Sequence, residues 1–274
     1  MELTRKKVAI SGGSSGIGLA AAKLLAARGC DVALLARGAE RLESARAEVA
    51  AVPGAGTVIA VSVDVTDDAS VAVGAAAVIE GLGGLDVVIA NQGYARCATV
   101  LDAPIDAYRE ILDTNYLGHV RLVKAFAPHL VAQKQGAICL VTSMLGFMSF
   151  YGYSAYSGSK FAIAGFAEAV RQELLPHGVE LTVFYPPTTD TPGLEAENQD
   201  KPALTWAIEG SSTQYTSEQV ATVMLQGVET RRFVNMVGAE AWFIYRASRW
   251  APWLVRWILD SALWKHVKQK GLAG

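Results

Sequence analysis

The chain has 274 residues, 51% hydrophobic and 18% charged, enough for a sizeable core and too apolar for a disordered protein. A net charge of −2 gives no electrostatic case for a nucleic-acid partner. Cys30, Cys97 and Cys139 are far apart and odd in number, which argues against a disulfide framework and predicts a reducing compartment.

The N-terminal MELTRKKVAI runs straight into a strand pattern, without the long apolar stretch of a signal peptide or anchor. KVAIS (7–11) predicts a buried strand, and SGGSSGIG (11–18) follows it and opens a helix. Gly12, Gly16 and Gly18, with Ser14, Ser15 and Ile17 among them, make a turn whose backbone N–H groups approach a pyrophosphate at a helix N-terminus. The second strand ends Leu35-Ala36-Arg37. An NAD site usually carries an acid there for the ribose hydroxyls; a guanidinium instead suits a 2′-phosphate, so NADPH is the expected cofactor. Asp64 closes the third strand (57–64), and Asn91-Gln92-Gly93 follows the fourth (85–91). Both sites lie at strand C-terminal ends, where an open sheet binds its ligand.

A long helical segment is predicted over about 106–133, then a fifth strand, GAICLVTS (136–143), ending at Ser143. The next helix, about 154–176, places Tyr156 and Lys160 four residues apart on one face. A nearby ammonium favours tyrosinate and is expected to lower the tyrosine pKa. Tyr156 is then a general acid for a carbonyl oxygen, Ser143 a hydrogen-bond donor to the same oxygen, and Lys160 also a hold on the nicotinamide ribose. A sixth strand (179–187), an irregular insertion near 188–216 and a seventh strand (233–238) complete one doubly wound parallel α/β domain, about 1–238. His119, His129, His177 and His266 have no zinc or triad spacing and read as ordinary core or surface residues; no metal is expected.

Residues 239–274 form a tail, of which 241–274 hold Arg246, Arg249, Arg256, Lys265, Lys268 and Lys270 against one acid, Asp260. Four of six tryptophans lie in WAPWLVRWILDSALW (250–264). Pro252 suits a helix first turn, and Trp253, Trp257 and Trp264 then share a stripe of roughly 40°. The remaining apolar residues face elsewhere. This predicts an in-plane element, through 242–268, that meets a lipid surface and borders the substrate entrance; packing on the core or on a second subunit is the alternative.

In this order SGGSSGIG, NQG, Asn115 in TNYLG, Ser143 and Tyr-SGS-Lys resemble the short-chain dehydrogenase/reductase superfamily over about residues 7–238. The resemblance implies a Rossmann-like fold and a catalytic tetrad of Asn115, Ser143, Tyr156 and Lys160. In that tetrad Asn115 anchors a water that relays protons to Lys160. It also places Pro186, Thr189 and Thr191 beside the cofactor and implies a homo-oligomer with the 154–176 helix in the contact. Ser11 and Gln92 depart from the pattern, where Thr and a small residue are usual. YPPTTDTPGLEAENQDKP (185–202), with its Glu-Asn and Lys-Pro pairs, resembles the 3-ketodihydrosphingosine reductase subfamily. That implies NADPH-dependent reduction of a long-chain lipid ketone, by a cytoplasmic protein peripheral to the cytosolic face of a membrane. A reductase of another bulky apolar ketone (a steroid or an acylglycerone phosphate) and a non-catalytic NADPH-binding sensor or scaffold are the alternatives.

Overall fold

The structure, a computed structural model, describes residues 1–199, 201–209 and 213–269. Lys270 of the basic tail and parts of the 188–216 insertion (200 and 210–212) lie outside them. In chain order the elements are β1 (Lys7–Ser11), α1 (Gly16–Ala26), β2 (Asp31–Ala36), α2 (Ala39–Ala50), β3 (Val58–Ser62), α3 (Asp68–Leu82) and β4 (Val87–Ala90). Next come α4 (Ile105–Leu112), a π-turn (Asp113–Leu117), α5 (Gly118–Ala132), β5 (Gly136–Val141), α6 (Ser154–Leu174) and β6 (Val179–Tyr185). The C-terminal third holds β7 (Thr189–Asp190), α7 (Pro192–Gln199), α8 (Ala203–Glu209), β8 (Tyr215–Thr216), α9 (Ser217–Glu229), β9 (Val234–Met236), α10 (Gly238–Trp250) and α11 (Pro252–Gln269).

Seven strands form one parallel sheet in the order β3-β2-β1-β4-β5-β6-β9. Alternate side chains of each strand feed opposite cores. Val8, Ile10, Val32, Leu34 and Ile89 pack with α1, α2 and α9 on one face. Ala9, Leu35, Val88, Leu140 and Val183 pack with α3, α5 and α6 on the other. Both faces are covered, which is why the strands read as continuous apolar runs. The strand order reverses between β1 and β4, so the chain leaving each strand there opens a crevice at its C-terminal end.

Local signals fix several ends. The Asp67 carboxylate caps α3 by accepting from the N–H groups of Ala69 and Ser70. Thr216 and Gln219 form a reciprocal capping box on α9.

Three expectations change. The 106–133 segment is not one α-helix: the π-turn interrupts it around Asn115. The 188–216 insertion is not irregular, because it holds α7, α8 and the paired strands β7 and β8. The tail folds as two helices broken at Ala251, with α11 starting at Pro252 as its ring favours. Ala241 of α10 is buried in the core, and Trp242 and Tyr245 pack against it. Helix α11 packs on α10 and α8.

Candidate active site

The turn after β1 is built for close backbone approach. A side chain at Gly18 would collide with the Gly12 carbonyl oxygen, so helix α1 sits tightly against the turn. Gly12, Ser14 and Ser15 precede α1, which begins at Gly16 and continues through Ile17 and Gly18. Thr191 lies against Gly16 and accepts a bond from the Leu194 N–H (3.1 Å). Asn91, at the end of β4, donates its side-chain amide to the carbonyls of Ser11 (3.3 Å) and Gly12 (3.4 Å). Arg37 follows β2 and is exposed. Asp64 accepts from Thr66 through both backbone (2.9 Å) and hydroxyl (2.7 Å), which holds its carboxyl below the usual range. The tight glycine turn, the helix N-terminus behind it and the open crevice fit a dinucleotide's pyrophosphate.

Beneath this turn the two departures, Ser11 and Gln92, pair with each other. The Ser11 hydroxyl donates to the Gln92 side-chain oxygen and accepts from the Asn91 N–H (3.0 Å). The Gln92 amide meets His119 Nδ1 at 3.0 Å. Burial drives His119 down to about 3, so it is a neutral core residue.

The four proposed catalytic residues come together from three segments. Ser143 ends the β5 segment and caps a short 3₁₀ turn, accepting from the Leu145 N–H (3.1 Å). Tyr156 and Lys160 lie on α6, with the Lys160 Nζ 5.6 Å from the Tyr156 ring centre and donating to the Val141 carbonyl (3.3 Å). Asn115, on the π-turn, clamps the Tyr94 backbone through its N–H (3.0 Å) and carbonyl (2.9 Å), and donates to Ser159 Oγ (3.0 Å). Gly93 has φ +154°, and a Cβ there would stand 3.0 Å from Asn115 Oδ1 and 3.3 Å from Lys160 Nζ. The two groups thus flank one small space that only glycine leaves open.

Burial decides the protonation states. It lowers Lys160 to about 7 and raises Tyr156 well above its ordinary value, against the opposing Ser143 hydrogen bond. The expected lowering of Tyr156 by a nearby ammonium is therefore reversed: removal from water outweighs it, and Lys160 is itself partly neutral near pH 7. A protonated tyrosine is the form that donates to a carbonyl.

A cavity of about 410 Å³ opens from these residues. Ile17, Asn91, Gly93, Ser143, Tyr156, Lys160, Pro186, Thr189 and Thr191 all line it. Its walls also take Met144, Met148 and Phe150 after β5, Leu194 of α7, Ile208 of α8, and Ile244 and Leu259 of the tail. The apolar inner side of α11 therefore reaches the pocket, while Trp253, Trp257 and Trp264 on its outer side are 69%, 64% and 56% exposed. That exposure excludes the reading in which these rings pack on the chain's own core. No helix among the described residues is long and apolar enough to cross a membrane.

Tyr153, Glu197 and Glu209 also line the cavity and were not singled out from the sequence as site residues. The Glu197-Asn198 pair of the 185–202 segment was a signal for Glu197 alone, and nothing in its spacing says that the loop folds back onto Tyr156.

The chain matches the short chain dehydrogenase family over residues 6–202. It is 33% identical over 250 residues to 3-dehydrosphinganine reductase of Danio rerio, covering 89% of this chain and 74% of that protein. It is 32% identical over 240 residues to 3-ketodihydrosphingosine reductase of Bos taurus, covering 86% and 72%. Among solved structures, a short chain dehydrogenase of Burkholderia cenocepacia in complex with NADP superposes with a TM-score of 0.79 at 24% identity, covering 94% of this chain and 99% of that one. A Burkholderia phymatum member in complex with NAD gives a TM-score of 0.79 at 22% identity, covering 91% and 95%.

Proposed function

This chain belongs to the short chain dehydrogenase family and is an oxidoreductase, and from that premise we propose that it reduces the 3-keto group of 3-ketodihydrosphingosine with NADPH. The observation that carries this reading is a largely apolar cavity that ends on Ser143, Tyr156 and Lys160 and extends to the tail helices. The names of the relatives in Danio rerio and Bos taurus support the same substrate.

NADPH supplies the hydride; the residues of this chain supply the proton and the geometry. The N–H groups of the 12–18 turn, at the positive end of α1, hold the pyrophosphate. Arg37, exposed where β2 ends, would hold the 2′-phosphate, and no carboxylate on that strand end would repel it. Thr189, Thr191 and Pro186, which line the cavity, would hold the nicotinamide end, and Asp64 and Asn91 would serve the adenosine side and the turn. Tyr156, held protonated by burial, donates its proton to the ketone oxygen, and Ser143 orients that oxygen. Lys160, near about 7, is suited to take up and return a proton at neutral pH and thereby to reload Tyr156. Asn115 Oδ1, which can accept a second hydrogen bond besides that from Tyr94, borders the small space beside Lys160, which suits a relay water.

A long-chain ketone is stable in lipid, by about 0.8 kcal/mol per buried CH₂. The exposed tryptophan stripe of α11, beside Arg249, Arg256, Lys265 and Lys268, fits docking on an anionic cytosolic membrane surface, with the pocket mouth turned to the substrate. The chain is read as a homo-oligomer, with the exposed Phe161 on α6 suiting a subunit contact. The test is a side-by-side assay of the sphingoid ketone, a steroid ketone and an acylglycerone phosphate. Selectivity for the first supports the reading; comparable rates on a steroid overturn it.

A further inference from the structure

Lys201 is the single Lys or Arg of the 188–216 loop, and its side chain is 1% exposed. It pairs with Glu197 on α7 (3.2 Å) and with Glu209 on α8 (2.5 Å), whose side chains are 14% and 16% exposed. Its Nζ lies 4.7 Å from the Trp206 ring centre and 5.9 Å from that of Tyr153. The Tyr153 hydroxyl donates to Glu197 Oε1, and the Tyr153 ring centre is 6.1 Å from that of Tyr156. Glu197 is thus one tyrosine ring away from the proton donor.

The arrangement has an unbalanced charge. Two carboxylates share one lysine, and the carboxylates face the cavity while Lys201 does not line it. Among the described lining residues the other charged groups are Lys160 and the exposed Glu240, so the wall is acidic beside an apolar lumen. The negative charge of Glu197 also reaches Tyr156 and favours its protonated form. A carboxylate excess in a largely desolvated pocket is unfavourable until a cation joins it.

We propose that Glu197 is the specificity-determining carboxylate that receives the protonated amine of a 2-amino ketone, beside the carbonyl addressed by Tyr156. This rests on the function proposed above. In such a substrate the nitrogen is bonded to the carbon next to the carbonyl, so any pose that presents the ketone to Tyr156 carries the ammonium to the adjoining wall. The ammonium joins Lys201 as the second cation against Glu197 and Glu209. A ketone without a cation leaves the acidic wall uncompensated and is selected against. Lys201, behind the wall, holds both glutamates in place and ties α7 to α8.

The experiment compares kcat/KM for 3-ketodihydrosphingosine and for its N-acetyl derivative, which keeps the chain and ketone but loses the charge. The wild-type protein is expected to favour the amine at least tenfold, Glu197→Gln to lose most of that ratio, and Glu197→Asp to keep most of it. Unfolding midpoints measured on the same samples separate lost recognition from lost folding, and the wild-type ratio needs no variant. Equal wild-type rates on the two ketones overturn the inference while leaving the reductase intact. An unchanged ratio in folded Glu197→Gln also overturns it, as expected if the cluster only braces the two helices. No turnover of either ketone brings down the proposed function and this inference with it.

Discussion

Tyr156 and Lys160 show how far spacing carries an argument at the scale of single residues. Their i, i+4 placement on one helix face was legible; the direction of the tyrosine shift was not, because burial depends on what the rest of the chain lays over them. Lys160 gives a clean test of that burial. Its folded value near about 7 lies below the ordinary lysine value of 10.5, so protonation favours the unfolded chain. The penalty is full below about pH 7 and fades as pH rises towards the ordinary value. Lys160→Met is therefore expected to raise the unfolding midpoint by on the order of 5 °C at about pH 6, with the gain shrinking by about pH 10. A gain that does not change with pH would contradict a desolvated ammonium. Arg37 is tested through cofactor choice: Arg37→Asp is expected to shift the NADPH:NADH ratio of kcat/KM by about tenfold or more towards NADH. An unchanged ratio would remove Arg37 as the phosphate reader. Gln92 was visible only as a departure; its partners, Ser11 and His119, lie 81 and 27 residues away, beyond any local pattern.

Long elements with strong periodicity were readable, and short ones were not. The strands and α6 stand close to where apolar runs and glycine turns put them. The π-turn at Asp113–Leu117 left no mark, because a one-residue shift in helical bonding changes no composition. Helices α7 and α8 have eight and seven residues, too few for a hydrophobic period to show, so the segment read as irregular although it carries Glu197, Lys201 and Glu209. Helix α11 was legible because Pro252 and the tryptophan spacing both mark it. Replacing Trp253, Trp257 and Trp264 together by Ser is expected to cut binding to anionic vesicles by about tenfold or more. The same variant should still reduce a ketone presented in solution. Vesicle sedimentation reads the effect; unchanged binding would place the stripe at a subunit contact instead.

The whole molecule joins two kinds of surface at one cavity. The reversal of strand order between β1 and β4 opens the crevice in which the proposed dinucleotide and tetrad would meet, and the crevice follows from the parallel topology. The other wall comes from the substrate loop and the tail, which fold over the sheet edge and bring Leu194, Ile244 and Leu259 to the same space. On the proposed reading, in which α11 docks on a membrane, the enzyme meets a lipid ketone without moving it through water. The most direct test is oxidation of NADPH with 3-ketodihydrosphingosine in mixed micelles, run for the wild-type protein and for Tyr156→Phe. The account predicts turnover by the wild type and a loss of at least about a thousandfold in the variant, which still binds NADPH. Absence of wild-type turnover, or turnover retained by Tyr156→Phe, would contradict it.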